Sequence, residues 1–242
     1  MKLIADTHCH TIASTHAYST AYENIKEAEN MGLKFIALTD HSGDMPGSPG
    51  PWYFENIRIM PKEVDGVGVL KGIETNILNA KGEIDLPTDL TVPLDWVIAS
   101  IHEPVFFGMH DEEVCTELWL NIAKNPLVNV IGHSGLTDFK YDYEKVIPIF
   151  GENGKLMEIN NSSFIVREGS APNCKEIALL CKKYGVPVVI NSDSHFCKQI
   201  GRFDNAIALL KEIDFPESLV INANLESFRS YLEKYTNYYK YS

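Results

Sequence analysis

Positive charge is in short supply in this chain: 21 Lys+Arg face 33 Asp+Glu, a formal charge of −12 with histidine neutral. Nucleic-acid coats and anionic-membrane binders lean on summed lysine and arginine charge, so neither class of partner is expected. Long apolar runs are missing too. No window approaches the roughly 18 uninterrupted apolar residues of a membrane-crossing helix. The first apolar stretch, Leu3–Ala5, is stopped by Asp6 and is too short for a signal-peptide core. No C-x-x-C pair occurs, and the five cysteines (Cys9, Cys115, Cys174, Cys181 and Cys197) are odd in number. That speaks against a disulfide framework and for free thiols in a reducing cytoplasm. There is no long linker, low-complexity tract or clean internal repeat. What remains is 242 residues, 45% apolar and 22% charged. A chain of this size can bury about 70% of its unfolded surface without staples, and roughly 200–250 residues is routine for a single α/β barrel.

Short apolar runs recur at Leu3–Ala5, Phe35–Leu38, Val67–Ile73, Trp96–Ile101, Val128–Ile131, Leu156–Ile159 and Val186–Ile190. Their length and β-branched content suit strands buried on both faces of a parallel sheet. Helix-like stretches lie between several of them: Tyr22–Met31 before Gly32, Glu112–Lys124 before Pro126, and Pro172–Tyr184 with Pro near its start and Gly185 at its end. The alternation implies βα units. Gly43–Pro51 is turn-rich and reads as a rim loop, either plain or substrate-facing. The tail, Glu217–Ser242, is expected to hold one short strand and then an amphipathic helix.

Almost every run is followed by a residue of metal-binding type. His8 and His10 (D-T-H-C-H) follow the first, Asp40 and His41 (L-T-D-H-S) the second, and Glu74 (G-I-E-T-N) the third. His102 follows the fourth, His133 the fifth, and Asp193 and His195 (N-S-D-S-H) the seventh. The sixth ends in Glu158-Ile159-Asn160-Asn161, polar but without histidine. In a parallel barrel all strand C-termini open on one face, which carries the site, so these residues would converge. Alternate residues of a strand share a face, so His8 and His10 point together while Cys9 points away. Six of the eight histidines sit at these ends; His16 and His110 lie in loops. A lone strand-end histidine is usually structural, but the ordered set points to a metal cluster. Imidazoles with a few carboxylates suit Zn²⁺, Mn²⁺ or Fe²⁺. A catalytic zinc takes about three protein ligands, so seven to nine candidates imply at least two ions.

Taken together, D-T-H-C-H-T, L-T-D-H, G-I-E, S-x-H, G-H and N-S-D-S-H resemble the PHP superfamily, named after polymerase and histidinol phosphatase. The nearest likeness is to small stand-alone bacterial members of the YcdX type, and it runs from Lys2 to about Leu210. The resemblance implies a distorted (β/α)7 TIM-like barrel, one domain over residues 1–242, with a trinuclear centre. Carried over by position, His8, His10, Glu74 and Asp193 would bind the first ion. Glu74 would bridge to a second with His102 and His133, and His16, His41 and His195 would bind the third. His110 is left without a role. The implied activity is hydrolysis of small phosphate monoesters, with a metal-bound hydroxide as nucleophile and zinc as the first choice of ion. Three divalent ions would take the charge from −12 to −6, so an acidic protein can still hold an anion. Asp193 or His195 would relay a proton.

Several roles stay open at this level. Arg167 either contacts phosphate bidentately or faces solvent. Asp6 and Asp40 either orient imidazoles or cap strand ends through backbone amides. A histidinol phosphatase is one alternative within the superfamily. An amidohydrolase-type C–N hydrolase is another, though such enzymes usually carry a bridging lysine where this chain has His102. A homo-oligomer is left open.

Overall fold

The computed structural model describes residues 1–87, 89–91 and 93–241. Among the described residues there are eight strands: β1 (Ala5–Cys9), β2 (Phe35–Leu38), β3 (Glu63–Val64), β4 (Val67–Asn76), β5 (Trp96–Ser100), β6 (Val130–Ile131), β7 (Leu156–Asn160) and β8 (Val188–Asn191). The sheet order is β1-β2-β4-β5-β6-β7-β8, every neighbouring pair parallel, with the two-residue β3 antiparallel against the start of β4. The helices are α1 (Ala21–Asn30), α2 (Pro51–Asn56), α3 (Glu112–Lys124), α4 (Tyr143–Glu152), α5 (Ser163–Val166), α6 (Ser170–Tyr184), α7 (Asp204–Glu212) and α8 (Leu225–Tyr235). This is the expected distorted seven-stranded parallel barrel. The expected helices are found within a residue or two of their anticipated bounds. α1 is closed by a Thr20–Glu23 capping box, and α6 by Gly185 at φ 68°. No described helix is long and apolar enough to cross a membrane, and all five cysteines are unpaired.

Strand alternation sorts the apolar residues into two cores. Ala5, Phe35, Ala37, Leu70, Trp96, Ile98, Val130, Leu156 and Val189 face inward and fill the barrel at the N-terminal ends of its strands. Phe228, Tyr231 and Leu232 of α8 close it from below. Ile36, Leu38, Val69, Ile73, Val97, Ala99, Ile131, Met157 and Ile190 face outward against the helices. Above the inner layer the inward positions turn polar, so the C-terminal half of the barrel is lined by chemistry rather than by packing.

Strands β1 and β8 do not form a ladder. Side chains span most of the gap, and one isolated backbone bridge, Cys9 to Ser194, joins its top. Asn222 donates to the carbonyls of Ala5 (2.9 Å) and Ile190 (2.7 Å), accepts from Ile190 N (3.2 Å), and offers its own carbonyl to Ile4 N (2.9 Å). Higher up, Asn191 Oδ1 accepts from Thr7 N (2.9 Å) and Thr7 Oγ1 (2.8 Å). At the top, His10 N donates to Ser194 O at 2.8 Å. The segment expected as a short strand in the tail is this staple. It forms two 3-10 turns, Glu217–Leu219 and Ile221–Ala223, with a single bridge between Val188 and Val220. It crosses the seam rather than lying along an edge, so only one residue reaches strand geometry.

Replacing Asn222 by leucine should strand the Ile190 amide and two buried carbonyls, each worth about 1–3 kcal/mol. A loss of about 2–4 kcal/mol in urea unfolding is expected. An unchanged midpoint would show that the seam does not depend on this side chain.

Candidate metal centre

The strands run further than the apolar runs suggested: β1 extends through the D-T-H-C motif and β4 through Glu74 and Asn76. Inward parity then places Glu74 and Asn76 of β4, Glu158 and Asn160 of β7, and Asn191 and Asp193 in and beyond β8 above the apolar layer. His41 and His102 continue the parity of β2 and β5. Three histidines reach the interior only because the backbone breaks its own alternation. In β1, Ala5 faces inward, which would turn His8 outward. The pairing with β2 slips between Asp6 and Cys9, where three residues oppose two, and this returns His8 and His10 to the inside. In β6 the inward position is Gly132, where a Cβ would stand 2.1 Å from Ser100 Oγ and 2.8 Å from Ile98 Cγ2. No side chain fits there. The next residue, His133, turns in instead at φ 23°. Asp193 also sits at positive φ, 55°. Both are sparsely populated conformations for non-glycine residues, held by the surrounding structure.

The side chains meet around Glu74. His8 Nε2 lies 3.3 Å from Glu74 Oε1 and 3.5 Å from Asp193 Oδ1; His10 Nε2 lies 3.5 Å from Glu74 Oε2 and 3.3 Å from Asp193 Oδ1. Donors about 2.0–2.2 Å from a zinc ion stand roughly 3.3–3.6 Å apart at tetrahedral angles, so this spacing is that of ligands around a shared ion. Glu74 divides the remaining imidazoles between its oxygens. Oε1 is 3.0 Å from His133 Nε2 and 3.5 Å from His102 Nε2, while Oε2 is 2.9 Å from His41 Nδ1. Nearer the rim, His16 Nε2 stands 3.2 Å from His41 Nε2, and the His195 ring centroid is 4.8 Å from that of His16 and 4.3 Å from that of His10. All nine expected ligand residues are thus brought together. The grouping differs in two respects: the trio whose donor atoms lie within 4.8 Å of one another at the rim is His10, His41 and His195, with His16 beside it, and the trio around Glu74 is His41, Glu74 and His102, with His41 in the place expected for His133. His110 lies outside the cluster, exposed, its ring against Phe139.

The donor set fits metal ions better than protons. His8 Nε2, both nitrogens of His10, His41 Nδ1, His133 Nδ1 and Glu74 Oε2 are buried without a hydrogen-bond partner. Buried polar atoms are normally satisfied, and the orphans that face one another here, His8 Nε2, His10 Nε2, His41 Nδ1 and Glu74 Oε2, mark a place for cations. The titration behaviour agrees. Burial opposes ionisation of Glu74 and Asp193, yet the neighbouring charges hold both well below the usual carboxylate range: His8 and His102 for Glu74, His8 and Arg167 for Asp193. Burial, with His41 and His195, takes His10 well below its ordinary value, and burial with Arg167 pulls His133 down to about 4. Both are therefore neutral and ready to donate a lone pair. For His8, burial is outweighed by Glu158, Glu74 and Asp193, and its value rises well above normal.

An outer tier orients these rings. Glu158, passed over for want of a histidine beside it, accepts from His8 Nδ1 at 2.7 Å and from His133 N at 2.8 Å, and is held by Asn191 and Asn160. Reading run six at period two would have placed it inside the barrel. Asn76 Oδ1 accepts from His102 Nδ1 at 2.7 Å. The contact expected from Asp6 and Asp40 to imidazoles is not made, because both lie at outward positions. Asp6 accepts from the amides of Ser192 (3.1 Å) and Gly201 (3.0 Å). Asp40 accepts from Thr11 N, Thr11 Oγ1, Ser14 Oγ and Tyr53 Oη, tying down the loop that carries His16. The turn-rich loop packs on that same loop, with Thr15 N donating to Gly47 O at 3.1 Å. Arg167 reaches the centre and donates from Nη2 to Asp193 Oδ2 at 3.0 Å; its side chain is 18% exposed.

Comparison with known proteins agrees with this geometry. The family described as PHP domain matches residues 6–162. A probable phosphatase of Caldanaerobacter subterraneus is 46% identical over 235 residues, covering 97% of this chain and 92% of the relative. One from Acetivibrio thermocellus is 45% identical and covers 97% of both. Among solved structures, the histidinol phosphate phosphatase of Lactococcus lactis, in complex with zinc, L-histidinol and phosphate, shares the fold with a TM-score of 0.65 at 21% identity, covering 89% of this chain and 95% of that one.

Because His8 carries a proton above its ordinary pKa, cation uptake must displace that proton. Zinc binding should release protons and strengthen as pH rises through the His8 value. The linkage in the metal-free chain has the opposite sign: a raised histidine stabilises the fold below its unfolded value and loses that contribution as pH climbs through the folded one. Calorimetric titration in buffers of different ionisation enthalpy reads the released protons. Uptake without proton release would show His8 already neutral.

Proposed function

The chain belongs to the PHP domain family, and from that premise we propose that it is a phosphatase acting on small phosphate monoesters at a trinuclear divalent-metal centre, zinc being the first choice of ion. As an enzyme it is a phosphoric ester hydrolase, one PHP-type domain over residues 1–242. The observation that carries this reading is the convergence of unpartnered histidine nitrogens and two ionised carboxylates on one point at the C-terminal mouth. His8, His10, Glu74 and Asp193 would hold one ion, Glu74 with His102 and His133 a second, and His16, His41 and His195 a third. Bound divalent ions supply an activated water as nucleophile and neutralise charge on the phosphate and the leaving oxygen.

The chain's own residues do the rest. Glu74 presents its two oxygens to different imidazole groups, which suits a carboxylate shared between cations. Arg167 keeps Asp193 ionised through Oδ2 and leaves further guanidinium N–H groups for a phosphate oxygen. Of the two proton-relay candidates, Asp193 is held well below the usual carboxylate range and is a poor acid near neutrality. His195 is no freer: Nδ1 faces the Asp193 carbonyl at 3.2 Å, which leaves Nε2 for the ion, so both residues would serve as metal donors rather than as the relay. The amidohydrolase reading needs a lysine at the end of β5, and that place holds His102.

The test is release of inorganic phosphate from a panel of monoesters, L-histidinol phosphate among them, by zinc- or manganese-loaded protein, with elemental analysis alongside. About three ions per chain are expected at roughly three ligands each; one ion per chain, or no phosphate release from any ester, overturns the reading.

Glu74→Gln keeps the size of the side chain and removes the charge that lets it serve two cations. Loss of one or two ions and a fall in turnover on the order of 10²–10³-fold are expected, with circular dichroism unchanged. Full metal content with normal turnover would reduce Glu74 to a strand-end carboxylate.

A further inference from the structure

We infer that Asp85, acting through Asn76, fixes which nitrogen of the His102 ring is free to bind a metal ion; the inference rests on the reading of His102 as a donor. Asp85 lies outside the cluster, on the hairpin of residues 77–85 that follows β4, closed by the Ile77–Ile84 bridge and by Leu78 N donating to Glu83 O at 2.8 Å. Its carboxylate gathers four donors. Asn76 N reaches Oδ1 at 2.7 Å, Asn76 Nδ2 reaches Oδ2 at 2.6 Å, Asp44 N reaches Oδ2 at 3.1 Å, and Ser42 Oγ donates to Oδ1.

The consequence for Asn76 follows from the donor inventory. An ionised carboxylate only accepts, so the amide group facing it must be the NH₂ end. The two hydrogens of Nδ2 are taken up by Asp85 Oδ2 and by Ser42 Oγ at 3.1 Å. The amide oxygen is thereby turned to the other side, where it stands 2.7 Å from His102 Nδ1. An amide oxygen also only accepts, so Nδ1 must carry the ring hydrogen. The lone pair is left on Nε2, 3.5 Å from Glu74 Oε1. Without a carboxylate at position 85, the long contact of Nδ2 to the Ser42 carbonyl, 3.5 Å, is what is left to favour this orientation of the Asn76 amide. A half-turn about its last bond would present NH₂ to His102, move the hydrogen to Nε2 and block the donor. Asn76 is fully buried, and its strand is tied to β5 by Ile77 N donating to Ser100 O at 2.9 Å. Asp85 Oδ1 also accepts from the Asn76 amide, a contact that Asp85→Asn keeps because an amide oxygen accepts as well. Asp85 is a positioning residue.

The experiment uses the zinc-loaded full chain, labelled with ¹⁵N in its histidines. One readout is the His102 Nδ1–H signal, identified by its loss in His102→Gln. The other is zinc retained against a chelator, measured by elemental analysis. Asp85→Asn keeps the shape and removes the directing charge. It should weaken or split the Nδ1–H signal and loosen one zinc by about 10–100-fold, the usual worth of such outer contacts. The double exchange Asn76→Asp with Asp85→Asn restores the logic in reverse: the carboxylate at position 76 accepts from His102 and the amide at position 85 donates to it. Both readouts should return toward wild type. The inference is overturned if Asp85→Asn leaves signal and retention unchanged, or if the double exchange fails to restore what the single variant lost, since a merely structural role would not be repaired by exchanging the groups. Failure of the phosphatase reading would appear elsewhere, as absent phosphate release from zinc-loaded wild type, with both of these readouts intact.

Discussion

Glu74 is almost wholly out of solvent, at 1% exposure, and is nonetheless ionised. A buried carboxylate persists in that state only where positive charge and hydrogen bonds replace water. Around it the barrel sets the imidazoles of His8, His10, His41, His102 and His133 at the ends of four strands, so that both oxygens of the carboxylate meet nitrogens. Most other polar placements in the upper barrel serve this one group. Glu158 and Asn76 turn the rings toward it, and Asn160 and Asn191 hold Glu158. Arg167 holds Asp193. The lower barrel, by contrast, is plain apolar packing under α8, which provides a rigid floor against which the polar layer is defined.

Seven parallel strands do not close smoothly, and the misfit falls between β1 and β8. The chain bridges it with asparagines, whose amides can offer both a donor and an acceptor to backbone groups a ladder would otherwise pair. The same two strands carry the register slip at His8 and the left-handed Asp193, and a third unusual backbone, His133, follows the central strand β6. What the three share is a donor turned into the mouth of the barrel.

The sequence made much of this legible and left some of it hidden, for identifiable reasons. Six of the seven inner strands overlap their apolar runs closely, because burial on both faces forces continuous apolar composition. The first run falls short, since β1 carries its polar motif inside the strand rather than after it. α4 escaped notice because Pro148 sits in its interior. The ligand histidines stood out by residue type and recurrence. Glu158 and Asn76 did not, because a carboxylate or amide that acts on a ring rather than on substrate has no signature beyond inward parity. Asp40 adjoins His41, and adjacency in a strand means the opposite face; Asp6 lies two residues before His8 and is put on the opposite face by the register slip between them.

Thr7 and Asn191 join across 184 positions, and their contact closes the barrel. Loop closure costs entropy that grows with the span, and contacts between distant segments form slowly. The donors differ sharply in this respect. Glu74, His102 and His133 follow three successive neighbouring strands and can assemble while the chain is still an open sheet. His8 and His10 meet Asp193 only once the two edges have joined. One half of the centre is thus templated by local strand pairing, and the other is conditional on the joining of two edges far apart in the chain.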